Sequence, residues 1–71
     1  MAVEPLEITN RIRELRESSG RMSQKALAER VGVSRQTINA IESAKYTPSL
    51  EVALRIARVF DEPVESVFVC A

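Results

Sequence analysis

Four residues near the middle of the chain, Arg35, Gln36, Asn39 and Ala40, carry the chemistry most readily seen in the sequence. Two adjacent pairs one helical turn apart share a face of a helix. Arginine pairs bidentately with guanine and glutamine with adenine in the DNA major groove, for about 1–3 kcal/mol of discrimination each. Asn39 adds a further amide. Ala40 is small enough to touch a thymine methyl, or simply to permit close approach to the groove. The plainer alternative for Arg35 and Gln36 is a solvated helix surface.

The elements that must hold this face are encoded in Gln24 to Ser43, QKALAERVGVSRQTINAIES. Ala28 permits a close helix crossing, and Gly32 can take the left-handed conformation that stops the first of two helices. Ile38 and Ile41 give the second helix, about 35–43, an inward side opposite the reading residues. Each helix has a defined start: Ser23 and Ser34 are placed to cap, with Met22 stapled to Leu27 and Val33 to Ile38. This is a helix-turn-helix, and it points to DNA binding. Thr37, at the third helical position, either completes the Ser34 cap or reaches a phosphate.

Composition sets the limits. The 71 residues allow one domain, 1–71, with one small core. One cysteine and no histidine exclude an internal disulfide and a zinc site, so no metal or cofactor is expected. No Ser/His/Asp or Cys/His constellation can be assembled, and no catalysis is assigned. Cys70 reads as a small apolar residue, because no basic neighbour would depress its pKa. No apolar run spans a bilayer and MAVEPLEI lacks signal-peptide character, so a cytoplasmic protein with no membrane partner is expected. Nothing suggests a small-molecule ligand. Net charge is zero, yet residues 1–36 hold seven basic side chains (Arg11, Arg13, Arg16, Arg21, Lys25, Arg30, Arg35) against five acidic ones (Glu4, Glu7, Glu14, Glu17, Glu29). A basic face remains possible, with affinity leaning on dimerisation.

Around the central motif, Leu6 to Thr9 alternates like a short extended segment, and a first helix is expected over about 10–18. After Pro48, Ser49 offers a third cap for a helix over about 50–60. Its inward face is expected to be Leu50, Ala53, Leu54, Ala57 and Phe60, with Arg55 and Arg58 outward. Asp61-Glu62-Pro63 ends it, Val64 to Val67 makes one more turn, and Phe68 to Ala71 is an apolar tail of high strand propensity.

Through IRELRE, SQKALAERVGVSRQTINAIE, YTPSLEVALRIARVF and PVESVF, about residues 10–68, the chain resembles the phage repressor and Cro-like regulators of the XRE family, nearest to small single-domain bacterial members. The resemblance implies an all-α, five-helix, lambda-repressor-like domain that binds a palindromic operator as a homodimer, more often as repressor than activator, with the third helix in the major groove. It implies that Gln24 holds a backbone phosphate with the helix N-terminus, and that Ser43, Lys45 and Tyr46 make further phosphate contacts. Ser34, Thr37 and Arg21 are counted with them, whereas Lys25, Arg11 and Arg13 read as plain surface. It also implies an ion pair between Arg16 and Glu42. Two departures stand out: an extra residue near Gly20-Arg21-Met22, and Ala44 where the family often has glycine. If φ is positive there, Ala44 costs on the order of 1 kcal/mol, or the turn differs.

The tail bears on partners. Val67, Phe68, Val69 and Cys70 are expected at a dimer interface, the tail pairing as a strand with its symmetry mate or with the Leu6 to Thr9 segment. The competing reading is an antitoxin-type module that covers a partner protein and autoregulates its operon. It would need an extension to wrap that partner, and the chain has little outside its core.

Overall fold

A computed structural model describes residues 3–70, and the part of the tail expectation that concerns Ala71 lies outside them. The chain runs β1 (Ile8–Asn10), α1 (Ile12–Ser18), α2 (Gln24–Val31), α3 (Arg35–Glu42), α4 (Leu50–Val59), α5 (Val64–Val67) and β2 (Phe68–Cys70). Five helices are therefore present, in the lambda-repressor-like order, with one small sheet.

Local chemistry sets the ends of the three central helices. Ser23, Ser34 and Ser49 each hold extended backbone angles, and each hydroxyl accepts from the amide three residues on, at Ala26, Thr37 and Val52. Each cap satisfies a donor that the first helical turn leaves free. Gly32 closes α2 with φ of 85°, in the left-handed region that favours glycine. Met22 and Val33, one residue ahead of their caps, pack against the core.

α3 ends in the same way without a glycine. Ala44 has φ of 60°, and the amides of Ala44 and Lys45 return to the carbonyls of Ile41 and Ala40 at 3.0 and 2.9 Å. This is a Schellman closure, so the turn keeps the geometry a glycine would give and Ala44 carries the strain. α4 closes alike through Asp61, φ of 53°, with Glu62 N–H on Ala57 C=O at 3.0 Å. Aspartate visits this region more readily than alanine does.

The core is Ile12, Leu15, Leu27, Ala28, Val31, Ile38, Ile41, Ile56, Ala57 and Val67. Here α4 departs from its expected face. Leu50 is 73% exposed and Leu54 46%, while Ile56 is fully buried and Val52, Val59 and Phe60 pack against the core. Residues 50–60, LEVALRIARVF, hold two overlapping apolar stripes, 50/53/54/57 and 52/53/56/59/60, and of the first only Ala57 is buried with Ile56 in the core. α4 turns the stripe with the larger β-branched side chains toward α2.

The expected terminal strands form, and they pair with each other within one chain. β1 and β2 are antiparallel, with Ile8 opposite Cys70, Thr9 opposite Val69 and Asn10 opposite Phe68. Val67 is a correction: it is 0% exposed in the chain's own core and has no surface to give a dimer partner. The amide of Arg11 donates to its carbonyl at 2.9 Å, which joins the start of α1 to the end of α5. The start of α1 also lies two residues later than expected, because Asn10 belongs to β1 and its Oδ1 accepts from Ile12 N–H at 3.2 Å.

Candidate nucleic-acid interface

The outer side of α3 is free while its inner side is fixed. Ile38 and Ile41 are buried, and Arg35, Gln36 and Asn39 are exposed, with Ala40 half-buried between them. A helix held by two core isoleucines presents side chains on a rigid base, which suits contact with a surface as regular as a DNA groove. Among the described residues, Arg35, Arg21 and Lys45 form no ion pair, so each retains its full set of donors. Tyr46 is 52% exposed. Arg21 has φ of 57°, so the extra residue before α2 is taken up by a left-handed step.

The back of α3 is tied to α1 by one deep ion pair. Arg16 Nε donates to Glu42 Oε2 at 2.7 Å and Nη2 to Oε1 at 2.9 Å, while Nη1 donates to the Met22 carbonyl at 2.8 Å. The two side chains are 13% and 8% exposed. This fork-to-fork geometry is the strongest form of the arginine–carboxylate pair. The hydrogen bond to Glu42 pushes the Arg16 pKa above its usual range, although burial opposes the charge. Glu42 is the one acidic residue of α3, and the pair neutralises a charge that would otherwise repel phosphate.

Gln24, at the start of α2, joins this pair to the exposed face of α3. Its Nε2 donates to Glu42 Oε1 at 3.3 Å and to Asn39 Oδ1 at 3.2 Å. Arg16, Glu42, Gln24 and Asn39 are thus one connected set that runs from α1 to the outside of α3. Three other residues expected at phosphates have hydroxyls engaged within α3. Ser34 Oγ caps Thr37 N–H at 3.1 Å and shares a hydrogen bond with Thr37 Oγ1 at 2.9 Å, so Thr37 completes the cap. Ser43 Oγ donates to the Asn39 carbonyl at 3.0 Å.

The residue that sequence reasoning missed is Asn10. Its Nδ2 donates to the Ile41 carbonyl at 2.9 Å, a second bond to the acceptor that also receives the Ala44 amide at the end of α3, while its Oδ1 holds the first turn of α1. Both amide groups are used, and they tie β1, α1 and α3 together. The only signal in the sequence is an asparagine ahead of a helical pattern.

These features fall within a known pattern. Residues 12–67 match a helix-turn-helix family model, and the chain belongs to the XRE family of helix-turn-helix proteins. It is similar to an uncharacterised HTH-type transcriptional regulator of Archaeoglobus fulgidus, 51% identical over 59 residues that cover 83% of each chain. YgzD, an uncharacterised HTH-type transcriptional regulator of Bacillus subtilis, is 49% identical over 59 residues, covering 83% of this chain and 88% of that one. The fold is similar to the crystal structure of a candidate DNA-binding protein from Bacteroides fragilis, with a TM-score of 0.75 at 25% identity over 89% of this chain and 100% of that one. No helix among the described residues is long and apolar enough to cross a membrane.

Proposed function

We propose that this protein is a DNA-binding transcriptional regulator of the cytoplasm that acts as a homodimer, with α3 of each protomer in the major groove of a palindromic operator. The observation that carries the proposal is α3 itself: a helix locked by Ile38, Ile41 and the Arg16–Glu42 pair, with Arg35, Gln36 and Asn39 exposed on the opposite side. Arg35, Gln36 and Asn39 read base edges, and Ala40 lets the helix approach them. Arg21, Lys45 and Tyr46 take phosphates, as does the N-terminus of α2 at Gln24. Of the Ser34 and Thr37 hydroxyls, only the one that accepts in their shared hydrogen bond has its own proton left to donate to a phosphate, and Ser43 reaches one only by turning its hydroxyl away from the Asn39 carbonyl. With Arg21 and Lys45 as the cationic phosphate contacts of each protomer, the logarithm of affinity falls against the logarithm of salt with a slope of about −4. Repression is the favoured sign, since occupancy of a promoter needs no further surface.

Dimerisation has a candidate face. Tyr46 and Leu50 are exposed and line a shallow apolar groove with Ile8, Ala53, Val64 and Phe68, close to the β2 strand where the tail emerges. The same patch offers both a groove and the side chains to fill one, which a two-fold interface between identical chains requires. Zero net charge removes long-range repulsion between the copies. Two recognition helices about 34 Å apart then match successive major grooves.

Selection of bound duplexes from a random pool, repeated with Arg35→Ala and Gln36→Ala, tests base reading: each substitution is expected to erase preference at its own position. If neither changes the selected sequence, the reading is wrong. Sedimentation of Leu50→Asp tests the interface, with a monomer expected. A dimer that survives this substitution places the interface elsewhere, and a second variant ending at Val67 then reports whether β2 holds it.

A further inference from the structure

We infer that Asn39 meets its base as a hydrogen-bond donor, and that Gln24 sets this polarity as a positioning residue. The inference rests on the DNA-reading role proposed for α3 and adds which base one of its residues selects. It follows from the chain of hydrogen bonds between Arg16 and Asn39, taken from its inner end.

Arg16 occupies both oxygens of Glu42, at 2.7 and 2.9 Å. A carboxylate in that pair only accepts. The Gln24 amide lies 3.3 Å from Glu42 Oε1, and only its NH₂ end can face an acceptor. The orientation of the Gln24 amide, which its shape alone would leave open, is therefore settled by chemistry. The same Nε2 lies 3.2 Å from the Asn39 amide, so Asn39 must turn its oxygen toward it. Its NH₂ group is left for the exposed side of α3, with no hydrogen-bond partner among the described residues. The acceptor character of Glu42 is thus passed through two amides and emerges on the reading face as a pair of free donors.

The consequence in the major groove is specific. Guanine presents two acceptors, N7 and O6, whereas adenine presents N7 beside an N6 donor. An asparagine pairs with adenine bidentately by offering both its oxygen and its nitrogen, and here the bond from Gln24 fixes the amide with its oxygen toward α2 and its NH₂ end on the exposed side. Asn39 therefore favours guanine over adenine at its base, by on the order of tenfold. Removal of the Gln24 donor frees Asn39 to rotate and restores its capacity for adenine. A lysine at position 24 keeps a donor facing both Glu42 and Asn39 and retains the guanine preference.

The test is selection from a random duplex pool with the wild-type protein and with Asn39→Ala, Gln24→Ala and Gln24→Lys. The position whose preference disappears in Asn39→Ala is expected to carry guanine in the wild type. At that position alone, Gln24→Ala moves the guanine-to-adenine ratio severalfold toward adenine, and Gln24→Lys leaves it in place. A purely structural role for Gln24 would weaken binding to all sequences alike and leave the ratio unmoved, which overturns the inference. Adenine at the Asn39-dependent position of the wild type overturns it too, as does an Asn39→Ala variant that alters no position. A measurement on the wild type alone guards against misfolded variants: replacing that guanine by 7-deazaguanine, which lacks the N7 acceptor, weakens binding severalfold, and an unchanged affinity counts against the inference. A wild-type pool with no enriched sequence refutes the proposed operator reading itself, and is thereby distinct from every outcome above.

Discussion

Glu42→Ala is the substitution whose effect the structure fixes best. It removes the partner of a guanidinium that is only 13% exposed and keeps one remaining hydrogen bond, to the Met22 carbonyl at 2.8 Å. Breaking a buried pair from one side costs about 3–5 kcal/mol, because the surviving charge is left uncompensated. The Met22 bond and the residual exposure of Arg16 put this case at the lower end, about 3 kcal/mol. A 71-residue domain is stable by about 4–11 kcal/mol at the usual 0.05–0.15 kcal/mol per residue, so the loss is a large share of the total. At roughly 4–8 °C per kcal/mol for a domain of this size, the melting temperature falls by about 12–24 °C. Thermal unfolding followed by circular dichroism reads this directly. The double variant Arg16→Met with Glu42→Leu removes both charges together and should recover most of the loss, since an apolar pair of similar volume carries no desolvation penalty. A Glu42→Ala melt within about 2 °C of the wild type would show that the pair contributes no more than an exposed one, at 0–1 kcal/mol. Glu42 also anchors Gln24, so base preference at the Asn39-dependent position should relax in the same variant at temperatures where it remains folded. The raised pKa of Arg16 carries a sign: the contribution is fully present below the ordinary guanidinium range and is lost only as pH rises through the folded value, so moderately alkaline pH leaves the pair intact.

Two further outcomes follow from backbone and packing. Ala44→Gly relieves a left-handed alanine worth about 1–2 kcal/mol but adds unfolded-state freedom worth about 0.4–1 kcal/mol, so a net gain of about 0.5–1 kcal/mol is expected in denaturant titration. Gly32→Ala runs the other way by about 0.5–1 kcal/mol on the same accounting, and its cause is conformational, since the nearest atom to the added Cβ is Arg55 Nη1 at 4.0 Å. On α4, Ile56→Ala should cost about 2–5 kcal/mol, whereas Leu54→Ala should fall within about 1 kcal/mol of the wild type in the same titration. Equal losses at the two positions would mean that the exposed stripe of α4 is covered in solution.

What the sequence determined by itself was local. The serine caps at 23, 34 and 49, the glycine turn at 32 and the two-sided character of α3 depend on residues within about one helical turn of each other, and near neighbours obey the same rules wherever the segment lies. The resemblance to the XRE family supplied the helix order and the Arg16–Glu42 pair in the same way, from a motif legible in one stretch. The tertiary structure decided the rest. Periodicity left two apolar faces open on α4, and only packing against α2 chose Ile56 over Leu50 and Leu54. Val67 was legible as the end of a short helical turn and expected at a dimer interface, but its burial in the chain's own core was decided by the fold. The bonds from Asn10 to Ile41 and from Gln24 to Asn39 span 31 and 15 residues of sequence, and no local rule relates such pairs. The exposed face of α3, with Arg35, Gln36 and Asn39, was therefore written in the chain, while the direction in which Asn39 presents its amide exists only once α1, α2 and α3 are brought together.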